Sequence, residues 1–253
     1  MTVSTEFTEK AILVTGGSRG IGRAVALRLA SEGARVAINY VSREEDARKT
    51  VADVEAAGGA AVLAPGDVAK PESARAVVDA TRKALGPIDM LAHCAGIAIA
   101  EPKGEASWET WKRTLNINLD GTFNMLFAVK DEMVERKYGR IVSVSSCAAL
   151  RARPALIAYA ASKAGMISLV RSCAEAWADK NVRVNSVLPG LIETEMPHSI
   201  TTPEAYQSVV EATPMKRDAR PEEVASIVRF LLSEESSFMT GQSVAATGGR
   251  VLL

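Results

Sequence analysis

Cysteine is scarce in this 253-residue chain: Cys94, Cys147 and Cys173 are an odd number without metal-ligand spacing. That argues against a disulfide scaffold and fits reduced thiols. Histidine is scarcer, and His93 and His198 lie too far apart for a local metal motif, so no metal is expected. Net charge is missing too, because thirty basic and thirty acidic side chains cancel. Nothing in the balance points to nucleic acid or an anionic membrane as partner. No apolar run is long enough for a bilayer span, and residues 1–6 carry no basic region followed by an apolar one. The expectation is a cytoplasmic, unprocessed protein that handles a small molecule.

What is present is apolar content, 47% of the chain, ample for one large core and one α/β domain over 1–253. Short apolar, partly β-branched runs alternate with helical patterns. Strands are expected over 11–14, 35–40, 61–64, 88–93, 140–144, 183–188 and 243–246. Helices are expected from the glycine loop to Gly33, over 44–57, 71–85 and 108–136, through Tyr159 and Lys163, and over 221–232. Pro71 stands at a helix start, and Gly58, Gly59 and Gly86 at helix ends. Apolar rather than alternating strands argue for a parallel sheet covered on both faces, a three-layer, doubly wound Rossmann-type fold. Between 191 and 220 the pattern weakens around one short helix, 203–212, and this stretch reads as a substrate loop or lid.

The first strand ends in Thr15-Gly16-Gly17-Ser18-Arg19-Gly20-Ile21-Gly22. A strand, a glycine turn and a helix in that order let the backbone approach a pyrophosphate at a helix N-terminus. The spacing differs from the common G-x-G-x-x-G fingerprint, but its physics is the same. After the second strand comes Asn39-Tyr40-Val41-Ser42-Arg43, without the carboxylate that would accept from a ribose 2'-hydroxyl. Arg19, Ser42 and Arg43 would surround a 2'-phosphate, which makes NADP(H) the expected cofactor. Arg43 beside Glu44 and Glu45 also reads as an ordinary solvated helix-start residue.

Tyr159 and Lys163 are four apart in Ala-rich sequence, so on a helix the phenol and the ammonium share a face. A cation beside a phenol favours the phenolate and brings it toward use as a proton donor and acceptor near neutrality. Alone, such a pair is an exposed helical pair; other segments of the chain give it company.

Thr15-Gly16-x-x-x-Gly20-x-Gly22, Asp67-Val68, Cys94-Ala95-Gly96, Asn118, Ser146, Tyr159-x-x-x-Lys163 and Pro189-Gly190-x-Ile192-x-Thr194, in this order, resemble the short-chain dehydrogenase/reductase family from about Lys10 to the C-terminus. Within it the chain is most similar to the 3-oxoacyl-[acyl-carrier-protein] reductase group. The resemblance implies Tyr159 as general acid in ketone reduction and Lys163 as holder of the nicotinamide ribose. It implies Ser146, thirteen residues before Tyr159, as the group that bonds the substrate oxygen. Asn118 would anchor a water that links Lys163 to solvent, Asp67 and Val68 would meet the adenine, and Ile192 and Thr194 would hold the carboxamide. On position alone Ser145 is as good a candidate as Ser146; the family spacing selects the latter. Asn116 falls on a different face of the same helix. Two departures stand out: Cys94 replaces the usual Asn, and Thr247 precedes Gly248-Gly249 where Asp or Asn is usual.

The loop after Ser146 is mostly apolar and should border the substrate. Its Arg151 and Arg153 would attract an acidic substrate or carrier, although exposed loop arginines are ordinarily solvated and are read so here. Lys137 and Lys180 lie where carrier-protein reductases have basic residues. The resemblance further implies a homotetramer built through the helices after Trp108 and Pro154. Three functions follow: an NADPH-dependent reductase of 3-oxoacyl thioesters, a related enzyme acting on a free ketone, sugar or secondary alcohol, or a nucleotide-binding sensor without turnover. The Ser146, Tyr159 and Lys163 set argues against the last.

Overall fold

A computed structural model describes residues 6–251; the N-terminal reading above rests mainly on 1–5, which lie outside them. In chain order the main elements are β1 Ala11–Thr15, α1 Gly20–Ala30, β2 Arg35–Tyr40, α2 Glu44–Ala56, β3 Ala60–Pro65, α3 Pro71–Leu85 and β4 Met90–His93. Then follow α4 Trp108–Leu115, α5 Gly121–Glu135, β5 Gly139–Val144, α6 Ile157–Trp177, β6 Val182–Pro189, α7 Glu195–Ser199, α8 Pro203–Glu211, α9 Pro221–Leu232 and β7 Ser243–Ala246.

The strands form one seven-stranded sheet in the order β3-β2-β1-β4-β5-β6-β7, and every adjacent pair is parallel. Alternate residues supply two cores. Ile12, Val14, Val36 and Ile38 pack under α1, α2 and α9, whereas Leu13, Leu91, Ile141 and Val184 pack under α3, α5 and α6. Strands buried on both faces need no polar alternation, which is why they read as apolar runs. The strand order reverses between β1 and β4, so the loops leaving their carboxyl ends diverge and open a crevice.

Two helical features shape that crevice. Along α6 the buried residues Ala158, Ser162, Met166, Val170, Ala174 and Trp177 recur at helical spacing, and Lys163 is buried beside this stripe. The helix expected over 108–136 is in fact two. After α4, whose N-cap Ser107 accepts from the Thr110 N–H at 3.1 Å, a π-helical turn spans Asn116–Asp120 before α5 begins. The wider turn inserts a residue into the helical register, and such turns are invisible to apolar periodicity because both flanks keep the 3.6 repeat. The stretch 191–220 holds α7, α8 and a bridge between Ile192 and Ala219.

Candidate active site

At the carboxyl end of β1 the Thr15 side chain is fully buried. Its Oγ1 accepts the N–H groups of Cys94 at 3.1 Å and Ala95 at 3.2 Å and lies 2.8 Å from His93 Nδ1. With its lone pairs engaged, the hydroxyl donates to Nδ1, which leaves the imidazole proton on Nε2. Burial, then the Lys163 charge, pushes His93 down to about 3, so it is neutral. This knot ties the glycine loop to the loop after β4. Only glycine fits at 16: its φ is +61°, and a Cβ would stand 2.9 Å from Ala95 Cα. The N-cap of α1, Arg19, makes no side-chain capping bond and the first turn carries no acid. Its leading N–H groups therefore have no acceptor from a capping side chain, and the segment fits a pyrophosphate.

On the adenosine side Tyr40 is buried in the core, because the last residues of β2 still lie within the sheet. Val68 is buried as well, packed toward Gly121, and its carbonyl accepts from Asn124 Nδ2 at 3.0 Å. Asp67 closes a turn, its Oδ1 accepting the Ala69 N–H at 3.0 Å. The cationic group formed by Arg19 and Arg43 has carboxylates beside it: Glu195 of α7 accepts from Arg19 Nη1 and lies 3.6 Å from Arg43 Nη2, and Asp46 Oδ2 lies 3.4 Å from Arg43 Nη1. Burial, then the Arg43 charge, lowers the Arg19 guanidinium below its ordinary value. Asn39 is structural, its Nδ2 donating to the carbonyls of Ala64 and Gly66, each at 2.9 Å.

At the other end of the crevice β5 runs out into Ser145 and Ser146, and their hydroxyls have separate tasks. Ser145 Oγ donates to the Lys163 carbonyl at 2.9 Å and fastens α6 to the sheet. Ser146 Oγ accepts from the Ala148 N–H at 3.1 Å and caps a short 3-10 turn over Cys147–Leu150, and it lies close enough to the Tyr159 phenol to draw that group's pKa down. Lys163 Nζ donates to the Val144 carbonyl at 2.9 Å and stands 5.8 Å from the Tyr159 ring centroid.

The expected acidification of the phenol is corrected here. Desolvation dominates and holds Tyr159 above the ordinary phenol value, against the Ser146 hydrogen bond and the Arg153 charge, which act the other way. Burial also brings Lys163 down from 10.5 to about 8 and pushes the Cys94 thiol up to about 12. Cys94 is therefore an unreactive thiol that contributes backbone to the site.

The π-helical turn presents Asn118 to the loop after β4. Asn118 Oδ1 accepts the Ile97 N–H at 2.8 Å, and Nδ2 donates to the Ile97 carbonyl at 2.9 Å and Ser162 Oγ at 3.0 Å. A Cβ on Gly96 would fall 3.1 Å from Asn118 Oδ1 and 3.3 Å from Lys163 Nζ, so glycine there lets the amide and the ammonium flank one point of backbone. Asn116 is exposed.

One pocket gathers Ile21, Cys94, Gly96, Ser146, Tyr159, Lys163, Pro189, Gly190, Ile192 and Thr194. Gly16, Ser18, Arg19, Gly20, Gly22, Ser42, Arg43, Asp67 and Ala95 lie outside its walls, on the glycine-loop and adenosine side. Two contributors went unnoticed in the sequence, Glu195 and Arg250. Both come from late segments whose approach is set by tertiary folding, and no local spacing marks them.

Among proteins of known sequence, the family profile described as Enoyl-(Acyl carrier protein) reductase matches residues 16–250. The chain belongs to the short-chain dehydrogenase/reductase family, a family of nicotinamide-dependent oxidoreductases. It is 38% identical over 245 residues to 3beta-hydroxysteroid dehydrogenase 1 of Eggerthella lenta, covering 96% of this chain and 94% of that one. It is 34% identical over 249 residues to a 3-oxoacyl-[acyl-carrier-protein] reductase of Synechocystis sp., covering 98% and 99%. Two solved structures carry different dinucleotides. A 3-oxoacyl-[acyl-carrier protein] reductase with bound NAD from Brucella melitensis superposes with TM-score 0.89 at 33% identity, covering 99% of this chain and 94% of that one. A blue fluorescent protein from a metagenomic library in complex with NADPH superposes at 0.90 and 34%, covering 98% and 100%.

Proposed function

We propose that the protein is an NADP(H)-dependent reductase of a substrate ketone. The observation that carries this is the convergence of Ser146, Tyr159 and Lys163 on one pocket beside the glycine loop, at the switch point of the sheet. The α1 N-terminus and the Gly16 turn would hold the pyrophosphate, and Ile192 and Thr194 the carboxamide. When bound, the dinucleotide supplies the hydride. The chain does the rest: Ser146 holds the carbonyl oxygen, Tyr159 donates the proton to it, and the Lys163 ammonium stabilises the charge that develops nearby. Asn118 holds the loop that carries Gly96, with one Oδ1 lone pair left for a water relay toward Lys163.

Arg19, Ser42 and Arg43 support selection of a 2'-phosphate, with Glu195 displaced from between the arginines when it binds. A 3-oxoacyl thioester is the substrate that the similarity to 3-oxoacyl-[acyl-carrier-protein] reductases supports. A free ketone or secondary alcohol is favoured by one specific observation, the arginines at the far end of the pocket. The exposed pair Phe123 and Phe127, stacked at 4.2 Å on α5, supports a homo-oligomer, in our reading a tetramer.

The test is a carbonyl panel assayed with NADPH and with NADH. Turnover with a higher kcat/KM for NADPH supports the assignment. Preference for NADH sinks the cofactor part, and loss of all turnover with intact dinucleotide binding sinks the enzyme part in favour of a sensor.

A further inference from the structure

The pocket walls carry three cations, Lys163, Arg153 and Arg250, and no carboxylate. Lys163 is engaged at the catalytic end, whereas no acidic side chain among the described residues pairs with Arg151, Arg153 or Arg250. Arg250 donates from Nη1 to the Val209 carbonyl of α8 at 2.7 Å, which fixes the guanidinium against the lid. Arg151 Nη1 is buried without a hydrogen-bond partner. We infer that the substrate presents a carboxylate to this end of the pocket, held by Arg153 and Arg250 with Arg151 behind them, beside the carbonyl that Tyr159 protonates. The inference rests on the reductase reading.

The Arg153 and Arg250 guanidinium groups on the pocket wall, with the Arg151 charge acting on Arg250 from outside it, repel one another. Burial, then Arg151 and Arg153, lowers the Arg250 pKa below its ordinary value. An anion relieves that repulsion, and the planar arginine fork matches a carboxylate with two parallel hydrogen bonds. The Arg153 charge also reaches the Tyr159 phenol, so the carboxylate sits close to the reacting carbonyl. The rest of the lining is largely apolar and includes Leu156, Met196, Ile200 and Val209, which suits a short carbon chain between the two polar ends. A 3-oxoacyl thioester carries no charge this near its ketone, so the geometry selects a short oxo acid and, in reverse, the matching hydroxy acid. The step balances: hydride passes to the carbonyl carbon, the Tyr159 proton passes to its oxygen, and the carboxylate is unchanged.

The experiment compares acetoacetate and levulinate with their methyl esters, and with an acetoacetyl thioester, by kcat/KM and by titration calorimetry on the dinucleotide-loaded enzyme. Wild type should favour each acid over its ester by tenfold or more, and Arg153→Gln and Arg250→Gln should each bring that ratio near unity. Arg48→Gln, the same charge change on exposed α2, should leave the ratio alone. Equal handling of acid and ester, a ratio preserved in both arginine variants, or preference for the thioester overturns the inference. If none of these ketones is reduced, the reductase reading fails separately, and calorimetry still decides: acid binding lost in the arginine variants supports the anion site, and equal binding of acid and ester refutes it.

Discussion

Lys163 carries its charge at neutral pH against burial, with a folded-state value of about 8 against an ordinary 10.5. The folded state therefore binds its proton less readily than the unfolded chain. The penalty is complete below about pH 8 and fades as pH rises toward 10.5, so this group makes stability increase with pH across that window. The cost at pH 7 is on the order of 3 kcal/mol. Lys163→Met should then abolish reduction yet raise stability at pH 7 by about 1–2 kcal/mol, once the lost bond to Val144 is allowed for. Melting curves at several pH values would show the gain shrinking toward pH 10; a destabilised variant would contradict the argument. Catalysis follows the same group: kcat/KM for reduction should be level through neutrality and fall above about pH 8 as the ammonium is lost, while Tyr159, held above its ordinary value, keeps its proton. At the adenosine end, Glu195→Gln should lower KM for NADPH by about two- to fivefold, the scale of one exposed ion pair, with little change for NADH. The Tyr159 and Lys163 spacing was legible because helical geometry alone places them together. The direction of the phenol's shift was not, since it depends on burial by β5 and the loop after Ser146.

At the scale of elements, the π-helical turn between α4 and α5 does most to shape the site. It buries Asn118, and the amide closes both hydrogen bonds of Ile97 and reaches Ser162 on α6. Asn118→Ala should cost about 2–3 kcal/mol through the polar groups left unpaired, and lower kcat more than it weakens dinucleotide binding. Denaturant titration beside steady-state kinetics would check both. The strands and most helices could be read from the chain because apolar runs and end signals such as Pro71 and Gly86 are local. The break at Asn116–Asp120 could not, and neither could the burial of Tyr40 and Val68, which the packing of α1 and α2 on one face and α5 on the other decides.

For the whole molecule, the parallel order of the sheet turns the carboxyl ends of all its strands to one edge, and the candidate site forms along that edge from the loops that leave them and from α6. Alternating strand and helix units announce that architecture without reference to any motif. The surface raises a separate question: Trp108 is 67% exposed and Phe123 47% exposed, unusual for aromatic side chains. In our reading a second copy covers the Phe123 and Phe127 face. Phe123→Glu should reduce the molar mass seen by light scattering to that of a smaller species; a wild type that is already monomeric at micromolar concentration would refute it.

The central claim, that dinucleotide and phenol act on one carbonyl in this pocket, is tested most directly by following deuterium from C4-deuterated NADPH into a ketone that the enzyme reduces. The account predicts deuterium on the carbinol carbon of the product with wild type and at least a hundredfold slower transfer with Tyr159→Phe at similar dinucleotide affinity. Product without the label, or an undiminished rate in the phenylalanine variant, would contradict it.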